Sequence, residues 1–202
     1  MQSFDAVIIG GGAAGLFCAG VAGQRGLKVL LLDHSPKVAE KIRISGGGRA
    51  NFTNRDLDPR APQKHFISAN PNFCRSALAR YTPQDFMALL DRHQVPWAEK
   101  HKGQLFCERS AQDLIEVLLR ECDAGGVTRR QPFSVQEIAV SADSTGTSSY
   151  ELRSNEGVLQ ARALVVATGG LSIPSMGATG FGYELARSFG HTVLPTRAGL
   201  VP

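Results

Sequence analysis

The first thirty-three residues contain two apolar runs, with a glycine-rich turn and an Ala- and Leu-rich segment between them. An apolar run from Ala6 to Ile9 leads into three glycines, and an Ala- and Leu-rich segment follows from Leu16 to Gln24. A second apolar run, Val29 to Leu32, is closed by Asp33. Short apolar runs bounded by glycine are typical of buried strands, and the segment between them is long enough for a helix. The pattern predicts a strand, a tight turn, a helix and a second strand.

Further along the chain the spacing of apolar residues changes twice. Helical spacing predicts helices over residues 72–80, 83–93, 110–124 and 180–189. Thr82 is the expected N-cap of the second of these helices, with Pro83 at its first helical position. Strand-like patterns predict short strands at 95–97, 104–107 and 192–194, and a strand buried in a parallel sheet at 163–167. They also predict a β-meander over 127–160, with a Ser- and Thr-rich loop at 141–148 and a last strand at 158–160. Together these elements predict an α/β fold with a parallel sheet and an inserted antiparallel meander.

The glycine turn has the spacing of a dinucleotide-binding motif, Gly10-Gly11-Gly12-Ala13-Ala14-Gly15. Gly10 permits the tight turn, Gly12 lets the backbone approach a pyrophosphate, and Gly15 allows close packing of helix on strand. The helix start presents unpaired N–H groups to the phosphates. Asp33, eighteen positions beyond Gly15, is placed to accept hydrogen bonds from ribose hydroxyls. The sequence therefore predicts that a dinucleotide binds here, against the alternative of a βαβ unit with an accidental triple glycine.

A polar loop is predicted from Lys41 to Asn54. It contains Ser45-Gly46-Gly47-Gly48-Arg49-Ala50-Asn51 and fits neither helical nor strand spacing. Backbone N–H groups, side-chain amides and the fixed charge of Arg49 suit either an anion-binding nest or a surface lying flat against a ring system. The alternative is a flexible surface turn.

The predicted buried strand ends in Ala167-Thr168-Gly169-Gly170. Ligands of open α/β sheets bind at the carboxyl ends of the strands, and glycine there lets the backbone pass close to a cofactor. A plain strand-to-loop turn is the alternative. A Rossmann domain that binds only nicotinamide normally repeats βαβ units without a meander, so the order of the motifs favours a flavin-type arrangement.

Composition narrows the function classes. The chain has 202 residues, a net charge of +4 and four widely spaced cysteines with no C-x-x-C pair. This spacing argues against a dithiol flavin reductase and against a metal site. No apolar run reaches the ~18 residues of a membrane span, and no basic region precedes the first apolar run as in a signal peptide. We therefore expect a cytoplasmic protein with no membrane partner. The basic residues are scattered, and their short patches lack the aromatic interleaving of a single-strand binder, so we expect no nucleic-acid partner.

The three motifs together resemble the YhiN/BaiN-like bacterial flavoproteins, usually described as NAD(P)/FAD-dependent oxidoreductases. The resemblance rests on Ile8 to Gly15, on Lys41 to Asn54, and on Ala167 to Pro174, and it covers the whole chain. It implies a Rossmann-like FAD/NAD(P)-binding fold, FAD as the cofactor, NAD(P)H as the electron donor and a small organic substrate. A more distant likeness runs to flavoproteins of the fumarate-reductase type.

The resemblance also implies the cofactor contacts. The pyrophosphate lies over the glycine turn, the ribose on Asp33, the loop along the flavin side of the pyrophosphate, and the adenine against the backbone of Val135. The expected cofactor-binding residues are Gly10, Gly12, Ala13, Ala14, Gly15, Asp33, His34, Lys41, Ser45, Gly46, Gly47, Gly48, Arg49, Asn51, Val135, Ala167, Thr168, Gly169 and Gly170. No residue stands out as a catalytic proton donor.

The sequence departs from the family pattern in three ways. The loop reads Arg49-Ala50-Asn51 where the family commonly has Arg-Cys-Asn, and Asp33 replaces the usual Glu. Family members are roughly twice as long, so we expect a fragment: an FAD-binding domain over 1–194, with an insertion at 72–124 and the meander at 127–160, and the start of a second domain at 195–202. An NAD(P)-dependent dehydrogenase and a truncated, non-catalytic nucleotide-binding module remain the alternatives.

Overall fold

The computed structural model describes residues 2–142 and 148–198 of the chain. The expected Ser- and Thr-rich loop at 141–148 and the expected domain start at 195–202 therefore lie partly outside the described residues. The chain divides into two compact units. The first unit comprises residues 1–42 and 118–193, and the second unit comprises residues 43–117 and 194–202.

The helices and strands follow one another in an α/β order. The strands are β1 (Gln2–Ile9), β2 (Val29–Leu32), β3 (Asn51–Asn54), β4 (Trp97–Glu99), β5 (Gln104–Cys107), β6 (Thr128–Arg130), β7 (Val135–Ala142), β8 (Ser148–Ser154) and β9 (Gly157–Val166). The helices are α1 (Ala13–Gln24), α2 (Glu40–Gly48), α3 (Arg75–Arg80), α4 (Pro83–Arg92), α5 (Ala111–Ala124) and α6 (Phe181–Ser188). Short 3₁₀ turns occupy Pro62–Lys64, Pro71–Cys74 and Pro174–Met176.

The first unit is built on one six-stranded sheet in the order β6-β2-β1-β9-β8-β7. Strand β1 pairs in parallel with β2 on one side and with β9 on the other, and β2 pairs in parallel with β6. Strands β7, β8 and β9 are antiparallel neighbours. The predicted parallel sheet with an inserted antiparallel meander is therefore confirmed.

Both faces of the central strands are buried, as expected for a parallel sheet covered on each side. Val7 and Leu30 belong to a core on one face that the meander completes with Leu152 and Leu159. The alternate residues, such as Ile8, are equally inaccessible. Helix α1 also packs closely against the last part of α5, because a Cβ on Gly20 would already lie 3.2 Å from Glu121.

The second unit has a three-stranded antiparallel sheet in the order β3-β5-β4. Helix α4 begins at a complete capping box, in which Thr82 and Asp85 each accept a hydrogen bond from the other's backbone N–H. Beside it, the ring of Phe52 stacks on that of Phe86, with centroids 5.7 Å apart. The predicted Thr82 cap, with Pro83 at the first helical position, is confirmed.

Two strand predictions were wrong in detail. Residues 127–130 were expected in the meander, but β6 is a parallel edge strand against β2. Residues 158–160 and 163–167 were expected as separate strands, but β9 runs unbroken from Gly157 to Val166. Residues 157–161 of β9 pair with the antiparallel β8, and residues 159–166 pair with the parallel β1. Strand β9 stays continuous because its pairing with β8 overlaps its pairing with β1. The periodicity of the sequence does not show which strands are its neighbours.

Two further predictions were wrong about the kind of structure. The stretch 41–54 was expected to be neither helix nor strand, but it begins within helix α2 and ends as strand β3. Strand β3 forms because it pairs with β5. Residues 192–194 were expected as a strand, but no regular structure is assigned there, and Leu194 is 77% exposed. Three residues without a neighbouring strand cannot satisfy their backbone groups by pairing.

Within residues 2–142 and 148–198, no helix combines the length and the apolar character that crossing a bilayer requires.

Candidate dinucleotide-binding site

Three parallel strands of the first unit end at the same level. Ile9 is aligned with Leu32 on one side and with Val166 on the other. The ladder extends one step beyond the strands: the N–H of Gly10 donates to the carbonyl of Leu32, and that of Ala167 donates to the carbonyl of Ile9, each at 2.8 Å. The predicted site residues that follow these strands are thereby brought to one edge of the sheet, where ligands of open α/β folds bind.

The glycine turn has little room for side chains on three of its four glycines. A Cβ on Gly10 would lie 2.4 Å from the carbonyl oxygen of Ala167, and one on Gly15 would lie 1.8 Å from the carbonyl oxygen of Gly10. A Cβ on Gly11 would lie 2.7 Å from Val38. These three glycines are required by the packing of the protein itself.

Gly12 differs from the other three glycines of the turn. No atom of the described residues, outside its immediate chain neighbours, lies within 4 Å of a Cβ placed there. Its φ of −81° is accessible to any residue. Neither packing nor backbone conformation therefore explains a glycine at this position. Space kept open for a ligand does, and the residues present fit the pyrophosphate of a dinucleotide.

Helix α1 begins directly at this open space, with Gly12 as its N-cap. No side chain of the described residues caps the helix start, and its first turn contains no acidic residue. The N–H groups of Ala13 and Ala14 have no intrahelical acceptor at this position. Together with the helix dipole, they give the open space above Gly12 the character of an anion site.

Asp33 is bound to the backbone of the turn. Its Oδ2 accepts the N–H of Gly11 at 2.5 Å, and its Oδ1 accepts the N–H of Ser35 at 2.7 Å. Its side chain is only 12% exposed. Each carboxylate oxygen can accept a further hydrogen bond, so the predicted ribose contact remains chemically available. The sequence motif did not indicate that this aspartate also holds Gly11 in place.

His34 and Val135 both lie close to Asp33, His34 through its side chain and Val135 through the backbone of a nearby residue. The Nδ1 of His34 is 3.8 Å from Asp33 Oδ1, and its side chain is 57% exposed. Its Nε2 would lie 2.8 Å from a Cβ on Gly177, so the histidine borders the loop that follows β9. Val135 comes two residues after Phe133, whose N–H donates to the carbonyl of Asp33 at 2.7 Å. Their predicted contacts with the cofactor stay predictions.

Lys41 is connected to the end of β9. Its Nζ donates to the carbonyl of Gly170 at 3.2 Å and to the hydroxyl of Ser172 at 3.1 Å. It also lies 3.8 Å from a Cβ placed on Gly169, whose φ of +75° favours glycine. A fixed cation is therefore positioned over the Gly-Gly turn. Ser172 was not among the predicted site residues, although it stands in the family segment after Gly170.

Thr168 is covered by the start of helix α6. A Cβ on Gly182 would lie 2.6 Å from the hydroxyl oxygen of Thr168, so only glycine fits there. Neither Gly182 nor Tyr183, whose hydroxyl would lie 3.5 Å from a Cβ on Gly170, was predicted as part of the site. The repeated glycines of the Gly177-Ala178-Thr179-Gly180-Phe181-Gly182 segment were the available signal.

The remaining predicted residues belong to the second unit, where they form a left-handed turn. Helix α2 breaks at Ser45, and Gly46, Gly47 and Gly48 all have positive φ. A Cβ on Gly46 would lie 2.7 Å from the N–H nitrogen of Asn51, so the turn is tight there and open at the next two glycines. The predicted contact of this turn with an anion or a ring system stays a prediction.

Strand β5 fixes the end of this turn. The N–H of Cys107 donates to the carbonyl of Arg49 at 2.9 Å. The amide of Asn51 turns its nitrogen toward the carbonyls of Thr53 and Leu105, each at 3.2 Å. Burial raises the pKa of the Cys107 thiol to about 11, which makes it a poor nucleophile. The turn therefore presents backbone and a guanidinium, with no reactive thiol.

Comparison with known proteins decides the family. The chain matches the HI0933-like protein Rossmann domain over residues 4–202. It belongs to the HI0933-like family. The structure has the predicted Rossmann-like fold, and the predicted resemblance to YhiN/BaiN-like flavoproteins is confirmed.

Two relatives and one solved structure illustrate the range of HI0933-like similarity. A ribosomal RNA dihydrouridine synthase of Escherichia coli K12 is 50% identical over 202 residues, which is 100% of this chain and 48% of the relative. A 3-dehydro-bile acid delta(4,6)-reductase of Clostridium scindens is 30% identical, covering 96% of this chain and 46% of the relative. The chain thus spans about half the length of these relatives.

The structural similarity concerns the fold alone. A 3-ketosteroid-delta4-(5alpha)-dehydrogenase from Rhodococcus jostii RHA1 superposes with a TM-score of 0.60 at 16% identity, over 84% of this chain and 46% of that protein.

Proposed function

We propose that this chain is the FAD-binding portion of a flavin-dependent reductase that uses NAD(P)H as its electron donor. The observation that carries the proposal is the open space above Gly12 at the start of α1. This space has room for a pyrophosphate and the N–H groups to bind one. Bound FAD would supply hydride transfer, which no side chain of the site provides.

Each part of the site has a task in this proposal. The turn from Gly10 to Gly15 binds the pyrophosphate through backbone N–H groups. Asp33 fixes Gly11 and accepts a ribose hydroxyl. Lys41 orients the strand end at Gly170 and adds a positive charge near the phosphates.

For the substrate we propose uridine in ribosomal RNA. The proposal is supported by the 50% identical relative, whose name states that it makes dihydrouridine in ribosomal RNA. Uridine becomes dihydrouridine when a hydride adds to C6 and a proton to C5, while NAD(P)H is oxidised to NAD(P)⁺. This departs from our expectation from sequence that no nucleic acid is bound.

A second candidate substrate is a small unsaturated ketone. It is supported by the 30% identical relative, named as a reductase of a 3-dehydro-bile acid. Both candidates contain a carbon–carbon double bond conjugated to a carbonyl, so the same hydride and proton additions apply. This candidate keeps the small organic substrate that the sequence predicted.

The cofactor is tested with the full-length protein. Purified wild type should be yellow, and the protein stripped of cofactor should bind FAD in preference to NADH. Gly12→Asp should abolish FAD binding, because a carboxylate would face the pyrophosphate. Colourless protein that binds no added FAD contradicts the proposal, and preference for NADH favours an NAD(P)-dependent dehydrogenase.

The substrate is tested by product analysis. Full-length enzyme with NADPH should convert uridine to dihydrouridine in an unmodified ribosomal RNA transcript, quantified by mass spectrometry of nucleosides. Gly12→Asp provides the matched inactive control. NADPH oxidation with a 3-oxo-4-ene steroid but not with RNA would favour the second candidate. Bound FAD with neither reaction would favour a non-catalytic module.

A further inference from the structure

The net positive charge of the protein comes from its second unit. Residues 1–42 and 118–193 contain ten basic and ten acidic residues, whereas residues 43–117 and 194–202 contain twelve basic and eight acidic ones. The net charge of +4 therefore belongs entirely to the second unit. A charge concentrated in one compact unit gives that unit a local attraction for polyanions.

Within the second unit, one long segment lacks acidic residues altogether. No Asp or Glu occurs from Pro59 to Gln84, which we call the acid-free segment. It carries four cations and three aromatic residues, interspersed in pairs along the chain: Arg60, Lys64, Phe66, Phe73, Arg75, Arg80 and Tyr81. Basic residues interleaved with aromatic ones are the pattern of proteins that bind single-stranded nucleic acid. Because the pattern is spread over 26 positions, no short run of the sequence shows it.

The structure exposes the apolar side chains of this segment. Phe73 is 88% exposed and Ile67 98% exposed, and Phe66 and Tyr81 are 39% and 36% exposed. Large apolar side chains exposed together mark an interaction surface. Arg75, two residues after Phe73, is exposed as well, so this part of the segment offers both an aromatic ring and a guanidinium to a ligand.

The other side of the acid-free segment packs against the rest of the second unit, and this packing holds the exposed side in place. Leu78 and Pro83 line an aromatic pocket of the second unit together with Phe52 and Phe86. The turn Pro62–Lys64 contacts the turn Pro71–Cys74, which continues directly into α3. The exposed side chains are therefore presented from a packed base.

The cations are also available for a ligand. Among the described residues, Lys64, Arg75 and Arg80 take part in none of the ion pairs, whereas Arg60 pairs with Asp58. We propose that the outer face of the acid-free segment binds single-stranded RNA, with Phe73 stacking on a base and Arg75 and Arg80 contacting phosphates. This inference rests on the proposed ribosomal RNA substrate and deepens it by assigning an RNA-binding surface to this chain.

Binding is tested with the full-length protein and a fluorescent oligouridylate of about 16 nucleotides, a length that such surfaces accommodate. Phe73→Ala should weaken binding roughly 5- to 100-fold, the range of a lost base–aromatic stack. Arg75→Gln combined with Arg80→Gln should lower the slope of log affinity against log salt by about 1.4, since each phosphate contact on a single strand contributes about 0.7. FAD content, and NADPH oxidation in the absence of RNA, should be unchanged in both variants.

Matched controls lie on the neutral first unit. Val140→Ala removes an exposed apolar side chain, and Arg25→Gln combined with Arg162→Gln removes two exposed cations. Both should bind RNA as the wild type does. If the segment variants bind RNA as tightly as wild type, the inference is overturned while the proposed reduction of uridine stands. If wild type makes no dihydrouridine, the proposed function itself fails.

A second measurement distinguishes RNA from other occupants. In a Cys74→Ser background, Phe73→Cys should react with a maleimide in the full-length protein, and the oligouridylate should protect it. A cysteine that is unreactive without RNA would show that another part of the full-length polypeptide covers the surface. Binding to anionic phospholipid vesicles that depends on Phe73, without RNA binding that depends on it, would assign the surface to a membrane. Either result overturns the inference.

Discussion

The carboxylate of Asp33 accepts the backbone N–H of Gly11 at 2.5 Å, across two adjacent parallel strands. The residue that closes β2 thereby fixes the turn that follows β1. The carbonyl of Gly11 in turn accepts the N–H of Ala39 at 2.9 Å, so the segment after β2 is tied to the same turn. The glycine turn is therefore shaped by contacts from outside its own motif.

Removing that carboxylate should weaken both the fold and cofactor binding. We expect Asp33→Ala to lower the free energy of unfolding by about 1–3 kcal/mol, because two backbone N–H groups lose their acceptor. FAD affinity should fall roughly tenfold, the equivalent of one lost hydrogen bond to a charged group. Denaturation and FAD titration of the full-length protein measure the two effects.

Asp5 offers a matched control for Asp33. Its Oδ2 also accepts a backbone N–H, that of Lys28 at 2.9 Å, but it lies near the start of β1, away from the turn. Asp5→Ala should leave FAD affinity unchanged. Equal losses of affinity in both variants would show that the effect of Asp33 is general destabilisation.

Substitution by alanine should lower FAD affinity at Gly12 and the stability of the fold at Gly15. Gly12→Ala introduces no clash, so the free energy of unfolding should stay within about 1 kcal/mol of wild type, while FAD affinity falls because the methyl group occupies ligand space. Gly15→Ala places its Cβ 1.8 Å from a carbonyl oxygen, and overpacking should cost about 1–3 kcal/mol of stability. Thermal melts without cofactor separate the two cases. Retention of wild-type FAD affinity by Gly12→Ala would contradict the placement of the pyrophosphate.

The Lys41 ammonium should matter for the cofactor more than for the fold. Lys41→Met removes two hydrogen bonds to the loop after β9, and we expect FAD affinity to drop about tenfold with a stability change of about 1 kcal/mol. Lys37→Met, an exposed lysine in the preceding turn, is the control and should have no effect. A loss of affinity shared by both lysines would indicate only a general electrostatic attraction.

The buried Cys107 thiol should make stability fall in alkaline solution. Its pKa rises from 9.0 to about 11, chiefly because burial disfavours the thiolate. A raised folded-state pKa stabilises the protein fully below pH 9, and this contribution is lost as the pH rises toward 11. Chemical denaturation of wild type and Cys107→Ala between pH 8 and pH 11 tests this, and the variant should show the smaller decline. Parallel declines would contradict it.

Cys107 should also resist alkylation at neutral pH, together with Cys18 and Cys122. Burial raises the pKa of all three thiols, so little thiolate forms. Iodoacetamide labelling followed by mass spectrometry should find these cysteines unmodified in the native protein and modified after unfolding.

Some elements could be predicted because their signals are local. The N-cap at Thr82 and the apolar runs of β1 and β2 depend on residues within a few positions of each other, and all three formed as expected. Others depend on distant partners. Strand β6 joins the parallel edge because β2 is its neighbour, and residues 192–194 form no strand although their composition suits one.

The sequence alone determined the kind of site, because GxGxxG spacing and the acidic end of β2 act through local backbone conformation and strand order. Tertiary structure decided how that site is held. Only the aligned strand ends show that Gly10 must be glycine beneath Ala167, that Asp33 fixes Gly11, and that Gly12, unlike the other glycines of the turn, faces open space. These relationships join residues that the chain separates and the sheet brings together, and the side-chain contacts that create them are not encoded in any single segment.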